Sequence, residues 1–410
     1  MEINFYYWII LFSLCLDYFL NNFARYLDIK RVPVSVPEEF QDYYDNNNYS
    51  LSQKYFRDNG KLAFITSSFS MFLILAVIYF SLFNSLDLFI RGLNFSPVIS
   101  GMFFFAIIFF IQDVLGLPFS IYKTFVIEEK YGFNKTTLQT YILDRLKMYL
   151  VICIFGGAFL FGVLHFFEKY GRFAWVYIAI VNGLFMLIMQ PIFTKFILPL
   201  FNSFTPLEDG KLKTEITYFI NKVKFPVNQI DVVDGSKRTT KSNAYFSGLG
   251  RIKRIALYDT LIKNHSVPEV VSILAHEIGH YKKNHNIKNI MISTFQMTLL
   301  FFLLSLFLNN NLLFQVFGME YFSIYASLLF FSILYSPINL VLSVLMNMIS
   351  RKHEYEADAY AKEQLGTGKH LINSLKKLTV TSLGTLNPSQ LTIYLHYSHP
   401  PILERIYKLK

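Results

Sequence analysis

Seven stretches of this chain are long and apolar enough to cross a bilayer, and that alone confines the architecture. They lie near 4–24, 63–83, 98–118, 147–167, 174–198, 290–309 and 321–347. A hydrocarbon core of about 30 Å takes roughly 20 helical residues. In lipid, backbone polar groups must be paired within the segment, so each run reads as a helix. One such run alone could equally be a buried helix of a large soluble core; seven together argue against that. Composition agrees, with 53% hydrophobic and only 16% charged residues, against about 25% charged in soluble domains. A disordered tail and a collagen or coiled-coil rod are excluded. The two cysteines, Cys15 and Cys153, both fall in apolar runs and cannot form a disulfide scaffold. The first run follows Met1-Glu2 without a basic leader, and it holds Asp17, Asn21 and Asn22 with no small-residue cleavage site. It reads as a retained span, not a signal peptide.

Orientation follows from Lys and Arg. Arg25, Lys30, Arg31, Lys54, Arg57 and Lys61 follow the first run, whereas the next connection has only Arg91. Lys123, Lys130, Lys135 and Arg145 come next, then Lys169 and Arg172 in a short turn. After the fifth run the chain is crowded with basic residues; 309–320 has none, and Arg351-Lys352 closes the last run. Under the positive-inside rule the N-terminus is expected to be lumenal or extracellular and the C-terminus cytosolic. The formal net charge of +10 is thus mostly topology and contact with anionic membrane lipid. No nucleic-acid motif appears, so nucleic acid is not expected as a partner.

Four regions result: an N-terminal membrane region of five helices at 1–200, a polar region at 201–289, a transmembrane hairpin at 290–350 and a polar C-terminal region at 351–410. The expected fold class is an all-α membrane protein of seven transmembrane helices with a cytosolic helical domain containing a small β-sheet. Strands are expected at 229–233 and 254–258. Loops are expected at 25–62 and 119–146, and the C-terminal region reads as helical to about Gly366 and irregular beyond it.

The chemistry centres on one helix. Ser266-Val267-Pro268-Glu269 has the signature of a capping box, with Pro in the first turn. The helix continues to Ala275-His276-Glu277-Ile278-Gly279-His280. His276 and His280, four residues apart, leave the same face one turn apart, the spacing that lets two imidazoles meet one Zn²⁺. Glu277 stands beside them, placed to take a proton from a water. Two satisfied histidines and a surface Glu would look the same in sequence, so a third ligand matters. The extended HExxHxxGxxH pattern is absent: Lys283 and Asn286 occupy its Gly and His positions, and His285 is one place out of register. The candidate is Glu354 in Arg351-Lys352-His353-Glu354-Tyr355-Glu356-Ala357-Asp358, with Asp358 on the same helical face to hold a His ring N–H. A solvated charge cluster beside a membrane anchor is the plainer reading of that segment. A hairpin of the sixth and seventh spans, however, returns Glu354 to the membrane side of the HExxH helix.

These two motifs together resemble the type 1 CAAX prenyl proteases, which are integral-membrane zinc metalloproteases. Further segments carry the likeness: Phe125–Lys135, Phe204-Thr205-Pro206-Leu207, Ser242-Asn243-Ala244-Tyr245-Phe246-Ser247-Gly248 and Ser398-His399-Pro400-Pro401. The resemblance implies His276, His280 and Glu354 as ligands of one Zn²⁺, and Glu277 as general base. It places Asn243 near a strand edge that aligns the peptide, His399 close to the reacting carbonyl, and Arg405 as a substrate contact. It further implies an intramembrane chamber walled by the spans, with prenylated CaaX proteins or peptides as substrates. Residence in the endoplasmic reticulum membrane, contiguous with the nuclear membrane, is expected on the same ground, and a monomer is expected although no residue pattern fixes the oligomeric state. Glu128 and Glu129 read as a loop salt-bridge pair outside the site. Two other readings stay open from the sequence: an HtpX-like membrane quality-control zinc protease, and a transporter or channel with an incidental HExxH.

Overall fold

The computed structural model describes residues 2–31, 35–227, 229–247 and 254–410. Gly248, part of one motif above, lies outside them. Among the described residues, five helical stretches are long and apolar enough to cross a membrane: Phe5–Arg31, Asn47–Tyr79, Pro97–Glu128, Leu138–Phe201 and His285–Phe307. A sixth candidate is the pair Ile324–Leu334 and Ser336–Leu365, bent by 58°. Pro337 at the bend lacks the N–H that would continue the ladder, and its ring crowds the preceding turn.

The runs expected at 147–167 and 174–198 both lie in the 64-residue stretch Leu138–Phe201. That stretch breaks at Gly171, whose φ of +53° suits a residue without a side chain. Beyond it the chain doubles back: the Tyr170 and Tyr177 rings lie 4.3 Å apart, Phe166 and Tyr177 5.8 Å, and Phe159 and Phe185 5.0 Å. Such pairs, spreading in sequence away from the break, mark an antiparallel hairpin. Within the most apolar part of each of these five stretches only 6–17% of residues are buried, so most of their apolar side chains face outward, while Ile10, Phe104, Leu164 and Phe330 meet in one shared core. Asp113, in Pro97–Tyr122, is held by Arg145 through Nε at 3.1 Å and Nη2 at 2.5 Å.

The expected loops are shorter than the sequence suggests. Helix already begins at Asn46, where Asp45 accepts the Asn48 N–H at 2.7 Å. After Pro97–Tyr122 the helix continues through a wide turn at Lys123–Glu128. The region beyond Gly366 is also helical, at Lys369–Thr381, Gln390–His396 and Ile402–Leu409. Leu371, Ser374 and Leu375 are buried at helical spacing, a short amphipathic signal that Pro388, Pro400 and Pro401 obscure in the sequence.

The polar region folds around four strands, β1 (Phe204–Pro206), β2 (Gln229–Val233), β3 (Ala244–Ser247) and β4 (Arg254–Tyr258), in the order β1-β2-β4-β3. β2 and β4 are parallel neighbours, and β3 lies antiparallel at the edge. Ile255, Ala256 and Leu257 of β4 are all buried, as a strand covered on both faces requires. Ile255 and Leu257 share one apolar core with Phe219, Leu274 and Ile278. That core fixes the helix carrying the histidines.

Candidate metal centre and active site

The helix Val267–Lys282 begins where the sequence indicates, with Glu269 Oε2 accepting the Ser266 N–H at 2.8 Å. Every residue from Glu269 to His276 is buried, so the helix has almost no freedom to rotate. Ser272 Oγ meets Ser374 Oγ at 3.2 Å in the fully buried seam with Lys369–Thr381. On another side it crosses the long helix Ser336–Leu365 at Gly279. A Cβ there would lie 3.0 Å from Ala357 Cα and 3.1 Å from Ala357 O. Glycine allows this approach without displacing the neighbouring backbone, and the approach brings Glu354, one turn away, opposite His276 and His280.

Three side chains converge. His276 Nε2 lies 3.1 Å from His280 Nε2 and 3.3 Å from Glu354 Oε2, while His280 Nε2 lies 3.2 Å from Glu354 Oε1. An ion bound tetrahedrally at about 2.0–2.1 Å has ligand-to-ligand edges of about 3.3–3.4 Å, so the spacing fits one ion. Glu354 Oε2 is buried and accepts no hydrogen bond, with the Arg405 guanidinium nitrogen Nη1 3.5 Å away. His276 Nδ1 faces Asp358 Oδ1 at 2.8 Å. Burial disfavours the His276 imidazolium, but Asp358 and Glu354 outweigh it, and the ring is pushed up to about 9. Burial pushes the Glu277 carboxyl above its usual range, which His276 and His280 oppose. A cation between those histidines would oppose it further.

The other expected residues fall differently. His399 Nε2 lies 3.3 Å from Glu354 Oε1 on a side chain 64% exposed, so it faces both the cluster and open space. Asn243 stands exposed just before β3, its Oδ1 accepting the Ala244 N–H at 2.8 Å, and β3 packs beside the histidine helix. Arg405, expected as a substrate contact, is buried instead. It donates through Nε and Nη2 to Asp358 at 2.8 and 2.7 Å, because a buried carboxylate needs a cation nearby. Glu128 accepts from Lys241 at 2.9 Å and from Tyr55 at 2.6 Å. Glu128 thus forms an ion pair at the end of a helical turn rather than in a loop, while Glu129 accepts from Asn134 Nδ2 at 3.0 Å. His285, set aside as a ligand by its register, meets His280, and Glu356, to which the sequence assigned no role, meets His285, at 3.0 Å each. The left-handed Asn284 (φ +57°) turns the chain so that a histidine five residues on can reach back, and asparagine is one of the few residue types that adopt this conformation readily.

Residues 25–203 match the model of the CAAX prenyl protease N-terminal region, described as five membrane helices, and residues 206–410 match the model of peptidase family M48. The chain belongs to the type 1 CAAX prenyl proteases of family M48. CAAX prenyl protease 1 of Saccharomyces cerevisiae is 34% identical over 90% of this chain and 87% of the yeast protein. The human CAAX prenyl protease 1 homolog is 32% identical, covering 93% of this chain and 90% of its own. The crystal structure of Saccharomyces mikatae Ste24p superposes with a TM-score of 0.92 at 32% identity, covering all of both chains. A CAAX prenyl protease of family M48 is a multi-pass membrane metallopeptidase, and its metal needs ligands. Among the described residues, His276, His280 and Glu354 are the group whose ligand atoms all lie within 4.8 Å of one another.

Proposed function

We propose that this chain is a zinc metalloendopeptidase that removes the last three residues from isoprenylated CaaX proteins. The observation that carries this reading is the trio of His276, His280 and Glu354 atoms at 3.1–3.3 Å, beside the Glu277 carboxylate. Two imidazoles and a carboxylate leave a fourth tetrahedral position open, the donor set of catalytic zinc rather than of a closed structural site. Bound there, Zn²⁺ supplies a Lewis acid that polarises the scissile carbonyl and eases ionisation of water. Glu277 takes the proton from the attacking water and returns it to the leaving amine. Asp358, itself held by Arg405, keeps His276 with its Nδ1 protonated and its Nε2 lone pair turned to the cluster. His399, open on one side, donates to the carbonyl oxygen as negative charge builds on it. The outer edge of β3, last in the sheet among the described strands, pairs with the extended substrate, with Asn243 at its end.

The spans wall a chamber open to the prenyl chain; the low burial of their apolar side chains supports this. Each buried CH₂ of that chain contributes about 0.8 kcal/mol, a reason for the site to sit at a membrane. Seven crossings, a lumenal N-terminus, cytosolic catalytic and C-terminal regions and residence in the endoplasmic reticulum complete the reading. The purified protein is expected to cleave a farnesylated CaaX peptide, with activity lost in Glu277→Gln. Equal turnover of the unprenylated peptide would overturn the prenyl specificity in favour of a membrane quality-control protease. Cleavage of neither would leave the protease reading without support.

A further inference from the structure

The two histidines of the cluster are held by different devices. His276 reaches its carboxylate directly, at 2.8 Å to Asp358. His280 does not: its Nδ1 faces His285 Nδ1 at 3.0 Å, and His285 Nε2 in turn faces Glu356 Oε2 at 3.0 Å. We infer that His285 and Glu356 form a positioning relay that fixes the tautomer and orientation of His280 toward the metal.

Proton counting decides the direction of each bond. The Glu356 carboxylate only accepts, so His285 Nε2 carries a hydrogen. If His285 Nδ1 carried one as well, His280 Nδ1 would have to accept, and the His280 hydrogen would sit on Nε2. That hydrogen would point at His276 Nε2 and Glu354 Oε1, at 3.1 and 3.2 Å, and would block coordination. The consistent arrangement gives His285 a bare Nδ1 that accepts the His280 Nδ1–H, leaving the His280 Nε2 lone pair aimed into the cluster. Packing keeps the relay in place. His285 is 1% exposed, and its ring stacks on His353 at 4.0 Å with 11° between planes. A ring so enclosed cannot flip to exchange its nitrogens without opening the seam. Both its nitrogens are thereby satisfied, as a buried imidazole requires. Glu356 is partly exposed, at 32% of its side chain, whereas Asp358 is 4% exposed. The His280 arm is therefore the more weakly polarised of the two, with its carboxylate one ring further away and closer to water.

The relay rests on the proposed metal site, and the test separates the two. Zinc affinity of the purified full-length protein is measured by competition with a chromogenic chelator, alongside thermal melting of the metal-stripped protein. His285→Phe keeps a flat ring on His353 but cannot accept from His280. It is expected to weaken zinc binding by about 10–100-fold while the metal-free melting temperature stays close to that of the original chain. Glu356→Gln, whose amide oxygen still accepts from His285, is expected to lose less affinity than Glu356→Ala. Should His285→Phe fail to fold, this glutamate pair carries the test. Zinc affinity within twofold of the original in His285→Phe, or equal losses in the two Glu356 variants, would overturn the relay. His276→Ala serves as the control: stoichiometric zinc retained there would overturn the metal site and the relay with it.

Discussion

Gly279→Ala tests whether the approach of two helices, rather than the HExxH spacing alone, builds the site. Two effects of opposite sign compete. Replacing a mid-helix glycine by alanine favours the helix by about 0.5–1 kcal/mol. Against this, the new Cβ would lie 3.0 Å from Ala357 Cα, 3.1 Å from Ala357 O and 3.2 Å from Tyr360 Cδ1. Ordinary contact begins near 3.4 Å, and the first two atoms belong to backbone that no rotamer change can move. The helices Val267–Lys282 and Ser336–Leu365 must therefore separate by about 0.3–0.4 Å, and overpacking of this kind costs about 1–3 kcal/mol. The net is a destabilisation of about 0–2.5 kcal/mol. The effect on the metal is larger in proportion, because Glu354 travels with Ala357 and ligand distances tolerate only about 0.2 Å. Zinc affinity should fall at least tenfold. Chelator competition and thermal melting of the purified protein check both quantities. A Gly279→Ala protein that binds zinc as tightly as the original and melts at a higher temperature would refute the reasoning, since helix propensity alone would then decide.

Further outcomes follow from the same geometry. Glu277→Gln should lower kcat on a farnesylated peptide by about 10²–10⁴-fold with zinc stoichiometry unchanged; loss of zinc in step with activity would assign Glu277 a structural role instead. Arg405→Ala strands the buried Asp358 carboxylate and should cost about 3–5 kcal/mol. Arg405→Lys should recover only part of this, because a point charge cannot reproduce the two-pronged contact; an unfolding midpoint unchanged in both would count against the ion pair. Hydrogen bonds from Lys410 and Lys376, the latter at 3.0 Å, hold the Glu39 carboxyl below its usual range. A folded-state value below the unfolded one means that its contribution is present at neutral pH. It fades as pH falls from about 4.3 through the lowered value. Protection factors of amides in residues 36–44, taken against intrinsic rates that themselves slow towards pH 3, should therefore fall between pH 7 and pH 3; unchanged protection would sink this.

Much of this molecule was legible in one dimension because its signals are local. A span needs about 20 apolar residues in a row, a capping box needs four positions, and the HExxH pair needs one helical turn. β2 and β4 were readable from their short Val-, Ile- and Leu-rich runs for the same reason. The loops were overestimated because polar residues such as Asn46, Asn47 and Asn48 are compatible with a first helical turn once Asp45 caps it. Beyond Gly366 the helices are too short for their periodicity to stand out between prolines.

By itself the sequence indicated the solvent, the helix that carries His276, Glu277 and His280, and Glu354 and Asp358 as one helical face that could join them. Tertiary structure alone decided what these residues touch. Glu354 lies 74 positions after His280, and only the crossing at Gly279 against Ala357 brings it within 3.2 Å. Arg405 became the partner of Asp358, and His285 the neighbour of His280, for the same reason. Side-chain partners separated by long stretches of chain are chosen by packing, because a backbone approach of a few tenths of an ångström leaves no trace in residue spacing.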